Sequence, residues 1–386
     1  MHKEKKIFFS GFTKIRAVAA LMVLFHHIEL YKHRDGMPSL FDNFWEHFIA
    51  GLGKNGVHIF FVLSGFLITY LLLVEKKKYQ SINIRMFYFR RLLRIWPLYY
   101  CVVLLSFFMI PFMADYFEIL QKETHYYNRV ILLKKDSWST LGLFLLFLPN
   151  LALKLKPAVV GAAQSWSVGV EEQFYLIWPH VINKVNGKRT LFFVLCSFVM
   201  VAFIPRFICI FNANIGGHIQ YLVDLIPIHF MAIGAIGAFF LFFYRTQVEI
   251  ILNNKFLFIV NTFLVILCLF VPYSFIGFKV LFGFLALFQL MFITTIKAAN
   301  NVAGDVLEFV GSISYGVYMY HPFIMYICFA IFNNLFSIEE YWLYNTGLYS
   351  SIFSLTIGLS YLSYYFFESK FIKLKKEKFT LIGSGR

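Results

Sequence analysis

Apolar runs long enough to cross a bilayer recur along almost the whole chain, and they constrain its fold more than any other feature. They fall at residues 12–30, 56–74, 92–113, 165–183, 190–211, 219–243, 256–272, 279–296, 308–332 and 346–368, each near the roughly 20 residues that an α-helical span requires. With 60% hydrophobic and only 14% charged residues among 386, a soluble domain of this length could not hide so much apolar surface. The chain therefore reads as an all-α, polytopic membrane protein of about ten transmembrane helices. A further apolar stretch, LGLFLLFLPN at 141–150, is too short to cross and is expected to be re-entrant or interfacial. The first run follows a basic N-terminus, is long, and contains Arg16 and His27 with no small-residue cleavage site after it. It reads as a retained helix rather than a cleaved signal.

Charge sets the orientation. The excess of 35 Lys and Arg over 20 Asp and Glu, a net +15, lies mostly in alternate loops: the N-terminus, 75–94, 183–189, 244–255, 297–301 and the tail KFIKLKKEK. By the positive-inside rule these are cytoplasmic, which places both termini inside and matches ten spans only if 141–150 does not cross. Residues 1–375 form one membrane-embedded domain and 376–386 a basic cytoplasmic tail. The surplus of positive charge implies contact with anionic lipid. No basic groove with interleaved aromatics lies outside the spans, so no nucleic-acid partner is expected. The five cysteines sit in apolar runs without CxxC or Cys/His spacing, so neither a disulfide framework nor a metal site is expected.

Ionisable residues inside spans are costly and mark candidate sites. His27 follows Arg16 by eleven positions, which at about 100° per residue returns to within roughly 20° of the same face and about 16 Å deeper. His26 points about 80° the other way. The pattern suits a polar cavity entered from the cytoplasm, and equally a histidine hydrogen-bonded within a bundle. Arg91 and Arg94 share a face at i, i+3 while Arg90 points elsewhere. Two guanidiniums at a cytoplasmic helix start can grip phosphate oxygens, although ordinary positive-inside topology also accounts for them. Ser64-Gly65 in mid-helix permits close backbone approach or a local distortion. In QSWSVGVEEQFYLIWPH, Glu171 and Glu172 are adjacent and so project about 100° apart; one can serve a site while the other pairs elsewhere. Ser314, Tyr318 and His321 in GSISYGVYMYHPF read as helix packing, and Pro322 frees a backbone carbonyl.

Taken in order, IRAVAALMVLFHH, GVHIFFVLSGFLIT, RRLLRIWPLYY, WSVGVEEQFYLIWP and SISYGVYMYHPF resemble the integral-membrane acyltransferase-3 family over nearly the full length. Members O-acylate sugars of bacterial envelopes and some secreted metabolites. The resemblance selects Arg16 and His27, assigns Arg91 and Arg94 to the acyl-CoA donor, and makes Glu171 the membrane glutamate. It implies an acyl-CoA-dependent acyltransferase of the bacterial inner membrane, most simply an O-acetyltransferase, with acyl-CoA (acetyl-CoA) as donor substrate, no permanently bound cofactor and no metal. His27 would deprotonate the acceptor hydroxyl or take the acyl group itself. Glu171 would orient the acceptor or His27, and Arg16 and Ser64 would assist at the donor. The acceptor is a glycan or lipid-linked sugar: polysaccharide repeat units, lipid-linked intermediates, peptidoglycan and small glycosides all fit, as do acetyl, succinyl and longer acyl groups. Two positions depart from the family pattern, Thr13 and His58, where many members carry Asp. Some members append an esterase-like periplasmic domain; this chain would act alone or borrow one. A different class, an exporter of lipid-linked glycan, is opposed by the missing internal repeat and the one-sided RxxR.

Overall fold

The computed structural model describes residues 11–121, 124–211, 213–271, 276–295, 302–335 and 341–379, and among them every regular element is helical. Three long helices come first, α1 (Phe12–Arg34), α2 (Glu46–Tyr79) and α3 (Ile84–Leu104), followed by the short α4 (Ile110–Tyr116). Short helices α5 (His125–Lys135), α6 (Ser137–Leu145) and α7 (Pro149–Leu155) lead into α8 (Trp166–Lys184), α9 (Lys188–Met200) and α10 (Ile204–Phe211). Then follow α11 (Ala213–Leu225), α12 (His229–Phe243), α13 (Arg245–Leu252), α14 (Lys255–Leu269) and α15 (Ile276–Thr295). The chain closes with α16 (Val302–Ser312), α17 (Ser314–Leu335), α18 (Tyr341–Ser363) and α19 (Ser369–Phe379).

Three continuous runs are long and apolar enough to cross a membrane: α2, the 33-residue stretch Ile84–Tyr116, and α17. Two bent pairs, α11 with α12 and α13 with α14, raise this to five if each is one span. Ten crossings go beyond what helix length and composition establish. Several expected spans are interrupted, and prolines account for two of the breaks. In the 219–243 segment, α11 and α12 meet at 56° across Pro227, which has no N–H to donate and keeps the preceding residue out of helical geometry. In 190–211, a 3-10 turn at Val201–Phe203 precedes Pro205. The 308–332 segment breaks at Ile313, where the Ser314 hydroxyl donates to the Gly311 carbonyl at 2.8 Å. By contrast α3 runs on into α4 through a π-turn at Leu105–Met109, just ahead of Pro111, whose missing N–H is absorbed by the looser i→i−5 bonding. The 141–150 stretch holds the end of α6 and the start of α7, joined at Phe147 with φ 57°, and neither helix is long enough to cross. The tail boundary expected at 375 falls inside α19, which packs against α3.

The α2 helix lies at the centre, against α1, α8, α12 and α15. Its tightest seam is with α12. A Cβ on Gly65 would stand 1.9 Å from the Met231 carbonyl oxygen, and one on Gly234 would stand 2.0 Å from that of Val62. The backbones touch because neither residue carries a side chain, as is usual where dispersion rather than hydrophobicity drives association in lipid. Ser64-Gly65 thus produces close approach without breaking its helix. Trp178 of α8 is fully buried and donates its indole N–H to Thr69 of α2 at 2.8 Å.

At the end of the bundle where α2 and α8 terminate, Lys76 donates to the carbonyls of Ile182, Asn183 and Val185 at 2.8–2.9 Å. These are among the orphan acceptors of the α8 C-terminus, and an ammonium is favoured there by the dipole. Arg90 pairs with Glu75 at 2.8 Å at the same end. Toward the opposite end of α1, Glu29 is 1% exposed and accepts from Lys32, Ser39, the Leu40 amide and Tyr349. A charge so deep is sustained only because several donors satisfy it.

Candidate active site

Five side chains from α2, α3 and α8 and one from α1 form a polar cluster. Glu171 of α8 accepts the Tyr175 hydroxyl hydrogen at 2.8 Å, a contact available because i and i+4 lie one above the other. The Ser64 hydroxyl of α2 then donates to the Tyr175 oxygen. The charges of Arg16, Arg91 and Arg94 all act on the Glu171 carboxylate. The Arg91 guanidinium lies 5.9 Å from the ring centres of both Phe87 and Tyr175, within cation–π range, and its buried Nε has no hydrogen-bond partner among the described residues. Three cations thus lie within electrostatic reach of one carboxylate, leaving a net positive charge able to hold an oxyanion. Arg90 is tied to Glu75 and faces away, as the helical spacing predicts.

Glu172 leaves this cluster: its Oε2 accepts the Trp96 indole N–H at 3.0 Å. Adjacency on one helix therefore separates the two carboxylates as expected.

His27 belongs to a second cluster farther along the same face of α1. Its Nδ1 lies 3.0 Å from Nε2 of His321 on α17, the rings tilted by 30° at 4.9 Å. His27 is half-buried, whereas His321 is 1% exposed. His26 is engaged elsewhere, its Nδ1 2.8 Å from the Ile49 carbonyl and its ring pressed so closely on Gly53 that a Cβ there would meet it at 2.3 Å. Behind the pair, Tyr318 donates to the Gln164 carbonyl at 3.0 Å and sits 2.8 Å from the Ser167 hydroxyl, which locks α17 to the start of α8.

The structure thus gathers Arg16, Ser64, Arg91, Arg94 and Glu171, and sets His27 apart from them. Glu171 holds Tyr175, and the partner of His27 is His321. Helical periodicity could not find His321, which lies 294 residues from His27; the only local signal was an imidazole before a proline inside an apolar run. Tyr175 was legible in principle, four residues after a buried carboxylate. Of the atypical positions, His58 is buried and stacked on Phe230 at 3.7 Å, and the Thr13 carbonyl abuts Gly311. Ser314 caps the helix break. Among the described residues no three His, Cys, Asp or Glu side chains are grouped to hold a metal.

The family model described as an acyltransferase domain matches residues 11–365. Peptidoglycan O-acetyltransferase OatA of Listeria monocytogenes is 23% identical over 326 residues, which are 80% of this chain and 48% of that protein. O-acetyltransferase OatA of Staphylococcus aureus is 28% identical over 194 residues, 48% of this chain and 27% of that protein. An uncharacterized protein of Haemophilus influenzae is 31% identical over 157 residues, 37% of this chain and 58% of its own length. The chain thus spans less than two thirds of each of these relatives. No solved structure matches it.

Proposed function

The chain belongs to the integral-membrane acyltransferase-3 family, and from that premise we propose that it is a membrane O-acyltransferase, most simply an O-acetyltransferase, acting on a hydroxyl of a cell-envelope glycan. In this reading it resides in the bacterial inner membrane with ten crossings and both termini cytoplasmic. The names of the relatives favour a cell-wall sugar as acceptor. The observation that carries the proposal is the half-buried His27 held by His321 on the face of α1 that also bears Arg16.

The donor is a cytoplasmic acyl-CoA, its phosphates held by Arg91, Arg94 and Arg16, with Ser64 near the donor path. Glu171 offsets part of the charge of the three guanidiniums and, through Tyr175, fixes Ser64. At the thioester, His27 takes the proton of the acceptor hydroxyl as its oxygen attacks the carbonyl carbon. The tetrahedral intermediate then collapses, the C–S bond breaks, and the imidazolium returns the proton to the departing thiolate. An ester and free CoA result. Imidazole suits both steps because its ordinary pKa lies near neutrality.

Mass spectrometry of surface glycans tests this, using cells in which the gene is deleted and then complemented by wild type or by His27→Ala. Loss of an acyl mass that only wild type restores is expected, and the mass difference distinguishes acetyl from succinyl. Equal restoration by His27→Ala would remove the catalytic assignment. Failure of glycan export with acylation unchanged would replace the enzyme by an exporter.

A further inference from the structure

We infer that His321 is a positioning residue that fixes the protonation site of His27, leaving the Nε2 lone pair of His27 as the base that receives the acceptor's proton. The inference rests on the acyl-transfer reading above and names the atom that performs it.

Two contacts determine the tautomers. His321 Nδ1 lies 3.2 Å from the Val317 carbonyl oxygen. A carbonyl can only accept, so Nδ1 of His321 carries the hydrogen. A neutral imidazole has one N–H, so Nε2 of His321 is an acceptor. Nε2 stands 3.0 Å from His27 Nδ1, and a bond between them requires the hydrogen on Nδ1 of His27. The second nitrogen of His27 is then unprotonated.

The sequence around His321 builds this device. Pro322 cannot donate to the carbonyl four residues earlier, so Tyr318 keeps a free acceptor in mid-helix. That carbonyl and Val317's both bear on the His321 ring. Tyr318 and Gln164 pin the helix segment from behind, with Gln164 Nε2 donating to the Met319 carbonyl at 2.6 Å. Burial is graded in the sense such a relay needs. The orienting residue is sealed, and His27 as a residue is less fully buried. Without an acceptor opposite Nδ1, His27 could place its hydrogen on either nitrogen, and one of the two forms has no base facing the substrate.

The test compares purified wild type, His321→Leu and His321→Gln in proteoliposomes, with labelled acetyl-CoA as donor and cell-wall glycan as acceptor. Leucine removes the acceptor. A glutamine amide oxygen can still accept from Nδ1. His321→Leu is expected to lower kcat by about 10²-fold with donor KM unchanged, and His321→Gln to recover most of that loss. Solid-state NMR on ¹⁵N-histidine-labelled protein should show His27 protonated at Nδ1 in wild type and in His321→Gln, and at both nitrogens in exchange in His321→Leu. A wild-type His27 protonated at Nε2, or a folded His321→Leu with undiminished kcat, would overturn the inference. If His321→Leu does not fold, His321→Gln decides: wild-type tautomer with a kcat near wild type supports the role, and an Nδ1-protonated but inactive His321→Gln refutes it. Absence of any acyl transfer by wild type would sink the acyltransferase reading alone, because the spectrum still reports the tautomer.

Discussion

Arg90, Arg91 and Arg94 are close in sequence but have different partners, and the difference yields a test at the scale of single residues. Arg91 and Arg94 act on Glu171, while Arg90 is paired with Glu75, whose side chain is 4% exposed. Charge-assisted bonds to phosphate are worth about 1.5–3 kcal/mol each. Arg91→Ala or Arg94→Ala should therefore raise the donor KM by about tenfold or more in a steady-state assay. Arg90→Ala should leave donor KM unchanged and lower the melting temperature, because it takes the cation from a buried carboxylate and leaves it the Asn83 amide. That Arg91 and Arg94 share a face of α3 was legible from helical spacing, which is fixed within each helix, but the approach of Arg16 from α1 was not. The partner of His27 was not, because no periodicity links residues on different helices.

At the scale of elements, the α2–α12 seam is the contact least able to absorb change. A side chain on Gly65 would meet backbone, not a movable side-chain tip, so Gly65→Val should cost about 1–3 kcal/mol or more of stability, read as a lower melting temperature in detergent. Gly358 of α18 has nothing within 4 Å of a built Cβ, and Gly358→Ala should hold or raise the melting temperature by relieving the backbone entropy of a helical glycine. Lys76 offers a third measurement. Lys76→Met keeps the stem but removes the donor to three carbonyls of the α8 C-terminus, and a loss of about 1–3 kcal/mol is expected. A melting temperature unchanged in Lys76→Met would show that water satisfies those carbonyls equally well.

For the whole molecule, the Ile84–Tyr116 run sets a scale. Its 33 residues extend about 50 Å at 1.5 Å per residue, more than the hydrocarbon core of a bilayer. Tyr79 before it and Tyr116 at its end are both exposed, so they should lie on opposite sides of the membrane. In a cysteine-free background, Tyr79→Cys should react with a membrane-impermeant maleimide only after the cytoplasmic face is opened, and Tyr116→Cys in intact spheroplasts. Labelling of both from one side would overturn the topology. The basic loops predict which side is cytoplasmic, since charge bias is a property of sequence alone, and the labelling tests that prediction.

The sequence by itself determined the class of the protein, roughly where its long apolar runs lie and which polar residues of one helix share a face. These follow from apolar run length, from about 100° per residue and from the cost of charge in lipid, all of which act locally. Where the runs break was only half legible: Pro227 was visible, but an average over 219–243 passes across it. The tertiary structure decided which faces meet: Gly65 against Met231, Ser64 against Tyr175, and His27 against His321. Those pairings depend on how separate helices pack, and a helix that can lie beside several neighbours settles beside one only when the whole bundle is assembled.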